Sequence, residues 1–426
     1  MARADRTTAE PAVASVTGAS PLVVGAFYLF VASLPFEYPN RVIPVETTTL
    51  TGAIFLFATL LQPLVCYRRP PAAFWLVSIH LYAVVLAFVV SGGDYPGDTI
   101  KTLIQRFQVL VVFLAAFNVM RDPRVARNAL IILGVAATVL ALMTVTGVVG
   151  LEGMPKTRLT AFGQNPNRAA RILTGALLAL VGLSYGGAEP ALRPKPLVWG
   201  AAALIGAAIL DTGSRGGILA LAVGLFALTL GGRGTGVRTR NALVATIGIA
   251  ALTWAALASP AMRSRIERAQ SGDLAGREQI FPLAWGMFLE KPLVGWGTGE
   301  NSYELARRIS DGVHLSRDTH NLVLELLTST GIVGTVPFLL GLGLCLLAAW
   351  RARHGPLGIV PFAMLTALLA GNMSGNYVVL KLMWFVLALC AASVRFPGTA
   401  PAVAAVRHPP QRWGAGVLPG QPTRTP

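Results

Sequence analysis

The stretch SRDTHNLVLELLTSTGIVGTVPFLLGLGLCLLAAW, residues 316–350, decides the fold. From Gly331 to Trp350 it contains no charged residue. About 20 apolar residues are what one α-helix needs to cross the hydrocarbon of a bilayer. The preceding half carries Arg317, Asp318, His320 and Glu325. A titratable ring therefore stands where a polar segment enters an apolar helix.

Working outward, similar apolar blocks lie near 21–36, 48–66, 72–90, 102–120, 128–149, 169–186, 196–211, 216–231, 241–259, 356–373 and 377–394. With 331–350 they predict about twelve spans. Of the 426 residues 54% are hydrophobic and 13% charged. That is about half the charged share of an ordinary soluble domain. The expected fold is all-α: a polytopic integral membrane protein with one large extracytoplasmic loop that carries amphipathic helices. Its predicted parts are a disordered cytoplasmic tail (1–20), an N-terminal bundle of about nine spans (21–259), an extracytoplasmic loop domain (260–319), C-terminal transmembrane helices (320–396) and a second cytoplasmic tail (397–426). Cys66, Cys345 and Cys390 each lie in or beside an apolar segment, and no two are close in sequence. A disulfide framework or a cysteine metal site is therefore not expected.

Charge sets the predicted orientation. With the N-terminus inside, the short inside loops carry Arg68 and Arg69, then Arg121, Arg124 and Arg127, then Arg193 and Lys195, then Arg233, Arg238 and Arg240, then Arg351 and Arg353. Cytoplasmic loops are enriched in such residues. Three outside regions break the rule by being basic. One holds Lys156, Arg158, Arg168 and Arg171, the second Arg215, and the third, 260–319, holds Arg263, Arg265, Arg268, Arg277, Lys291, Arg307, Arg308 and Arg317. Part of the formal net charge of +16 suits anionic lipid headgroups. The translocated part suits an anionic substrate. Nothing in the chain points to nucleic acid.

Several side chains can carry chemistry. His320 opens a helix that Asp318 or Thr319 is expected to cap. Asn321, Glu325 and Thr328 follow at i, i+4 and i+7 and form one polar stripe. A neutral imidazole beside such a stripe suits a general base. Taken alone, it suits a loop hydrogen bond as well, and His314 is a rival. Arg215, in DTGSRGG, offers a planar fork for phosphate oxygens, with backbone N–H groups beside it at a helix start. An interfacial arginine whose head reaches water is the other reading of the same residues. Arg277 begins an amphipathic segment, IFPLAWGMFL, expected at the membrane surface. Arg158, Asn165, Asn167 and Arg168 frame FGQNPNRAA, where the asparagines suit sugar hydroxyls or a turn. Arg106, inside a predicted span, is costly unless paired or facing a cavity. GWGTGENSY follows no strand, so a tight turn is expected there and not a nucleotide loop. No P-loop, HExxH or DxD pair is present.

SRGG after one span, GRE before an amphipathic segment, PLVGWGTGENSY and HNLVLELLTSTGIVGTVPF together resemble the O-antigen ligase and polymerase family. By motif the resemblance covers roughly residues 150–350. It implies a polytopic GT-C-type glycosyltransferase in the bacterial cytoplasmic membrane, with its site on the extracytoplasmic side. The donor would be an undecaprenyl-diphosphate-linked glycan and the acceptor a hydroxyl of lipid A core or of another glycan, lipid or protein. Reaction would invert the anomeric carbon without metal or cofactor. Arg215 and Arg277 would bind the diphosphate, and His320 would act as the base. Arg158, Asn167, Arg168, Asn321 and Glu325 are further candidates for substrate contact. Arg265 and Arg268 stand near enough to Arg277 to serve in its place. A polymerase of the same family is an alternative, with a second lipid-diphosphate site sought in the patch at 156–171. A transporter or flippase for a polyprenyl-linked glycan is another, and it would not need His320.

Overall fold

The computed structural model describes residues 18–37, 46–91, 95–148, 165–185, 196–231, 234–259, 262–263, 267, 276–309, 316–375 and 378–396. Among them the only regular structure is helical. In chain order the helices are α1 (Pro21–Ser33, continued by a 3₁₀ turn, Leu34–Phe36), α2 (Thr47–Thr59), α3 (Pro63–Cys66), α4 (Ala72–Ser91), α5 (Pro96–Val119), α6 (Pro123–Val145), α7 (Pro166–Tyr185), α8 (Pro196–Asp211), α9 (Arg215–Thr229) and α10 (Thr235–Ala258). They continue with α11 (Arg277–Glu290), α12 (Glu300–Ile309), α13 (Leu322–Arg351), α14 (Val360–Asn372) and α15 (Lys381–Ser393).

The starts of these helices are written locally. Ser20, Asp122, Ser214 and Asn321 each cap one, accepting from Val23 N, Arg124 N, Gly217 N, and Val323 N with Leu324 N. Such a side chain satisfies an amide that has no partner within its own helix. The expected cap of the helix after His320 was Asp318 or Thr319. Asn321 takes that place, because its short side chain meets both amides at 2.9 and 3.1 Å.

Helices α4, α5, α6, α10 and α13 are long and apolar enough to cross a membrane. Shorter apolar helices, α1 with its 3₁₀ turn, α2, α8, α9, α14 and α15, fill the other predicted positions with α7. Every residue of α15 is buried. It packs against α5, α13 and α14, so a short, wholly buried helix lies at the centre of the bundle. The outside carries exposed Phe57, Tyr82, Val89, Ile247 and Trp254. A collar of large apolar side chains costs little where the solvent is lipid. In the predicted extracytoplasmic region, α11 buries Ile280, Ala284 and Met287 on one stripe. Ile280 and Met287 form a small core with Leu305 of α12, and Trp296 packs on it.

Helix α13 is broken. Gly331 has φ 59° and ψ −163°, a conformation essentially reserved for glycine. The break frees backbone groups on both sides, and the segment 292–297 takes them. Trp296 N and Gly297 N donate to Thr328 O and Ser329 O at 2.8 and 3.0 Å, while Ile332 N and Val333 N donate to Pro292 O and Leu293 O at 2.9 and 3.1 Å. The glycine turn of GWGTGENSY is thus the plug of an interrupted membrane helix.

Candidate active site

The polar groups collect around the turn 371–374, at the end of α14. Arg171, on the first turns of α7, is 1% exposed although charged. Its Nη2 donates to Gly371 O at 2.5 Å and to Ser374 Oγ at 3.2 Å. Arg277, the first residue of α11, donates from Nη2 to Ser374 O at 3.0 Å. Asn321 Nδ2 donates to Met373 O at 3.3 Å. The start of α9 lies so near that a β-carbon on Gly216 would collide with the Ser374 hydroxyl. Arg215 precedes it as the first residue of that helix. The turn therefore brings together residues of α7, α9, α11 and the segment before α13.

His320 is the only non-glycine residue with positive φ among those described, at 53°. This backbone costs a β-carbon-bearing residue about 1 kcal/mol. It is held by a chain of local bonds. His320 N donates to Asp318 Oδ1 at 2.8 Å. Thr319, wholly buried, places Oγ1 3.0 Å from Glu325 Oε2 and 3.1 Å from Asn321 O. The segment is tied to α12 by Arg317 N donating to Ser302 O at 2.9 Å.

Electrostatics follow from this crowding. Burial, then the charges of Arg277, Arg317 and Arg171, push the His320 imidazole below the ordinary histidine range. A ring among cations stays neutral and keeps a lone pair for a proton. Burial raises the Asp318 carboxyl, against the His320 amide and Arg171, which favour its ionised form.

The other predicted residues have structural partners. Asn167 Oδ1 accepts from Ser214 Oγ at 2.8 Å, and Asn167 N donates to Asn165 Oδ1 at 2.9 Å, so this asparagine ties α7 to the cap of α9. Arg168 pairs with Glu37 at 2.6 Å. Glu325, partly buried, meets Thr319. Arg158, His314, Arg265 and Arg268 lie outside the described residues. Arg106 faces His80, with Nη1 2.7 Å from Nε2. Of the two aromatic residues in the glycine-rich region, Trp296 is fixed by Nε1 donating to Met287 O and by Lys291 over its ring. Tyr303 stacks on Tyr95 at 3.8 Å.

Reasoning from sequence noted Arg171 only as one basic residue among several and passed over Ser374 altogether. The signal for Arg171 was its place inside the first turns of an apolar helix, where a charge is expensive unless a partner waits.

These features define a polytopic helical membrane protein with arginines and one strained histidine gathered at a polar site. Residues 200–339 match the model of the O-antigen ligase family. An O-antigen ligase of Pseudomonas aeruginosa is 27% identical over 288 residues, which is 66% of this chain and 67% of that relative. Both findings bear out the resemblance to the O-antigen ligases. The matched region holds Arg215, Arg277, His320, Asn321 and Glu325 and ends before the turn 371–374.

Proposed function

We propose that this chain is a membrane glycosyltransferase of the O-antigen ligase type. It moves a glycan from undecaprenyl diphosphate to an acceptor hydroxyl on the outer face of the cytoplasmic membrane. In this reading the twelve apolar segments cross or enter the bilayer, with the N-terminus inside. The acceptor is lipid A core or another envelope glycan, lipid or protein.

The observation that carries the reading is the meeting of Arg171, Arg277 and His320 around one turn, beside the start of α9 with Arg215. His320 removes the proton of the acceptor hydroxyl as its oxygen attacks the anomeric carbon. The bond from that carbon to the diphosphate oxygen breaks, and undecaprenyl diphosphate leaves with the electron pair. Attack from the face opposite the leaving group inverts the centre. Arg215 and Arg277 meet the charge that develops on the diphosphate, the general way in which fixed cations lower such a barrier. The reaction is written with arginines in this role and needs no metal. A polymerase would require a second lipid-diphosphate site.

The test is glycan transfer in membranes, from a polyprenyl-diphosphate-linked donor to candidate acceptors. Wild type is compared with His320→Ala and Arg215→Ala at matched levels of folded protein. Loss of transfer in both supports the proposal, and product length separates ligase from polymerase. Normal transfer by His320→Ala removes His320 as the base, and absence of transfer by the wild type with every acceptor points to a carrier.

A further inference from the structure

His320 does not hold its left-handed backbone by itself. Beneath it lies a buried polar chain that the reaction as written does not use. Thr319 Oγ1 sits between Glu325 Oε2 and Asn321 O. Its single proton can serve only one of them at a time. Asn301 of α12, wholly buried, stands beside the same carboxylate. Arg106 of α5, 6% exposed, is near enough for its charge to act on Glu325. Arg106 Nη1 lies 2.7 Å from His80 Nε2, and His80 Nδ1 lies 3.0 Å from Gly334 O. A guanidinium can only donate, so Nε2 accepts and the His80 proton is on Nδ1, donated to Gly334 O. The chain thus runs from the turn before α13, through its first half, across α5 and α4, and back to α13 beyond the break at Gly331.

We propose that Thr319 and Glu325, backed by Arg106 and His80, are positioning residues that hold His320 at the angle from which it meets the acceptor hydroxyl. Glu325 then contacts the turn and not the substrate. Thr319 is wholly buried and its hydroxyl lies between two acceptors of the helix that follows, which ties the turn of His320 to α13 as a rigid mount. The inference rests on His320 being the reacting group, so its test is run beside His320→Ala.

The experiment measures kcat and donor KM for Thr319→Val, Thr319→Ser, Glu325→Gln and the double variant Thr319→Val/Glu325→Gln. All are purified and checked for donor binding. Valine keeps the shape of threonine and removes its hydroxyl. It is expected to lower kcat roughly 10- to 100-fold, the scale of a misplacement of about 1 Å, with donor KM little changed. Serine restores most of the rate. Glu325→Gln, which replaces the carboxyl that the Thr319 hydroxyl meets, also lowers kcat. The double variant is no worse than the weaker single, because both act through one mount. Wild-type kcat in Thr319→Val, a serine variant as poor as valine, a loss confined to KM, or losses that multiply would each overturn the proposal. If Thr319→Val does not reach the membrane folded, Glu325→Gln is read alone, and wild-type kcat there overturns it. Normal transfer by His320→Ala sinks the reaction and the mount together. An inactive His320→Ala with an unaffected Thr319→Val sinks the mount alone.

Discussion

Arg171 and Ser374 lie 203 residues apart in sequence, yet the guanidinium of one reaches the hydroxyl of the other at 3.2 Å. The same nitrogen meets Gly371 O, and Arg277 takes Ser374 O. The turn is therefore a spacer between two arginines that would otherwise repel each other. Arg171→Ala leaves a cavity where a wholly buried side chain stood and strips partners from the turn. It is expected to destabilise the protein by about 3 kcal/mol and to abolish most transfer. Arg171→Lys should rescue little, because a point charge on a flexible stem does not match a planar fork. Thermal unfolding in detergent, read beside transfer, checks this. A lysine variant equal to wild type in both would remove Arg171 from the site.

The acid limb of the reaction should lie low. A base must be neutral to work, and burial with Arg277, Arg317 and Arg171 holds His320 below the ordinary value, about 6.5. Asp318 faces the group as well and opposes the arginines to the extent that it is ionised. The rate should therefore stay level as pH falls through the usual histidine range and drop only below it. Arg317→Gln removes one of the depressing charges, so the drop should move upward in pH. A profile of kcat/KM against pH, which reports the free enzyme, decides the matter for the two proteins. An acid limb at or above the ordinary histidine value in wild type would contradict the assignment.

Gly331→Ala tests the break in α13. The backbone there is accessible to glycine alone, and an added β-carbon would run into the Leu293 carbonyl and Val294 N. Neither is a side chain that can swing away. The loss should be about 3 kcal/mol from the backbone conformation, before any displacement of the 292–297 plug. Gly343→Ala, where nothing stands within 4 Å of the new carbon, should be close to neutral. The two melting curves are compared directly, and equal curves would mean that the break relaxes into a continuous helix.

Much of this architecture is legible in the amino-acid order. Apolar blocks the length of a bilayer mark the helices because hydropathy and length are local properties. The break at Gly331 is not local. Its flanks are as apolar as the rest of the helix, and only a plug that arrives from residues 292–297 makes interruption cheaper than continuity. His320, Arg215 and Arg277 stand out by their chemistry, because a charge at the edge of an apolar segment needs a reason. Their common neighbour does not stand out. Ser374 sits in an ordinary turn between two apolar helices, and nothing near it in sequence announces Arg171. Asn167 and Arg168 show the reverse case. Their types suit a glycan site, but their bonds go to Ser214 and Glu37.

That last pairing belongs to a network whose removal separates support from substrate contact. Lys381 of the buried α15 donates from Nζ to Glu37 Oε1, Glu46 Oε2 and Thr48 Oγ1 at 3.1, 2.9 and 3.0 Å. Burial alone would raise the Glu46 carboxyl, but Lys381, with Arg168 and Thr49, holds it below its usual value. A carboxyl so lowered adds stability that is complete above the unfolded pKa and is lost as pH falls through the folded one. Lys381→Met leaves Glu37 and Glu46 without their shared cation and should cost about 3–5 kcal/mol at neutral pH. The cost should shrink as pH falls through the lowered value of Glu46. Arg168→Gln should cost less, since Lys381 still holds Glu37, and transfer per folded molecule should stay near normal. Melting of each variant at pH 7 and at pH 4, with donor KM for Arg168→Gln, provides the check. A large rise in that KM with unchanged melting would return Arg168 to the substrate.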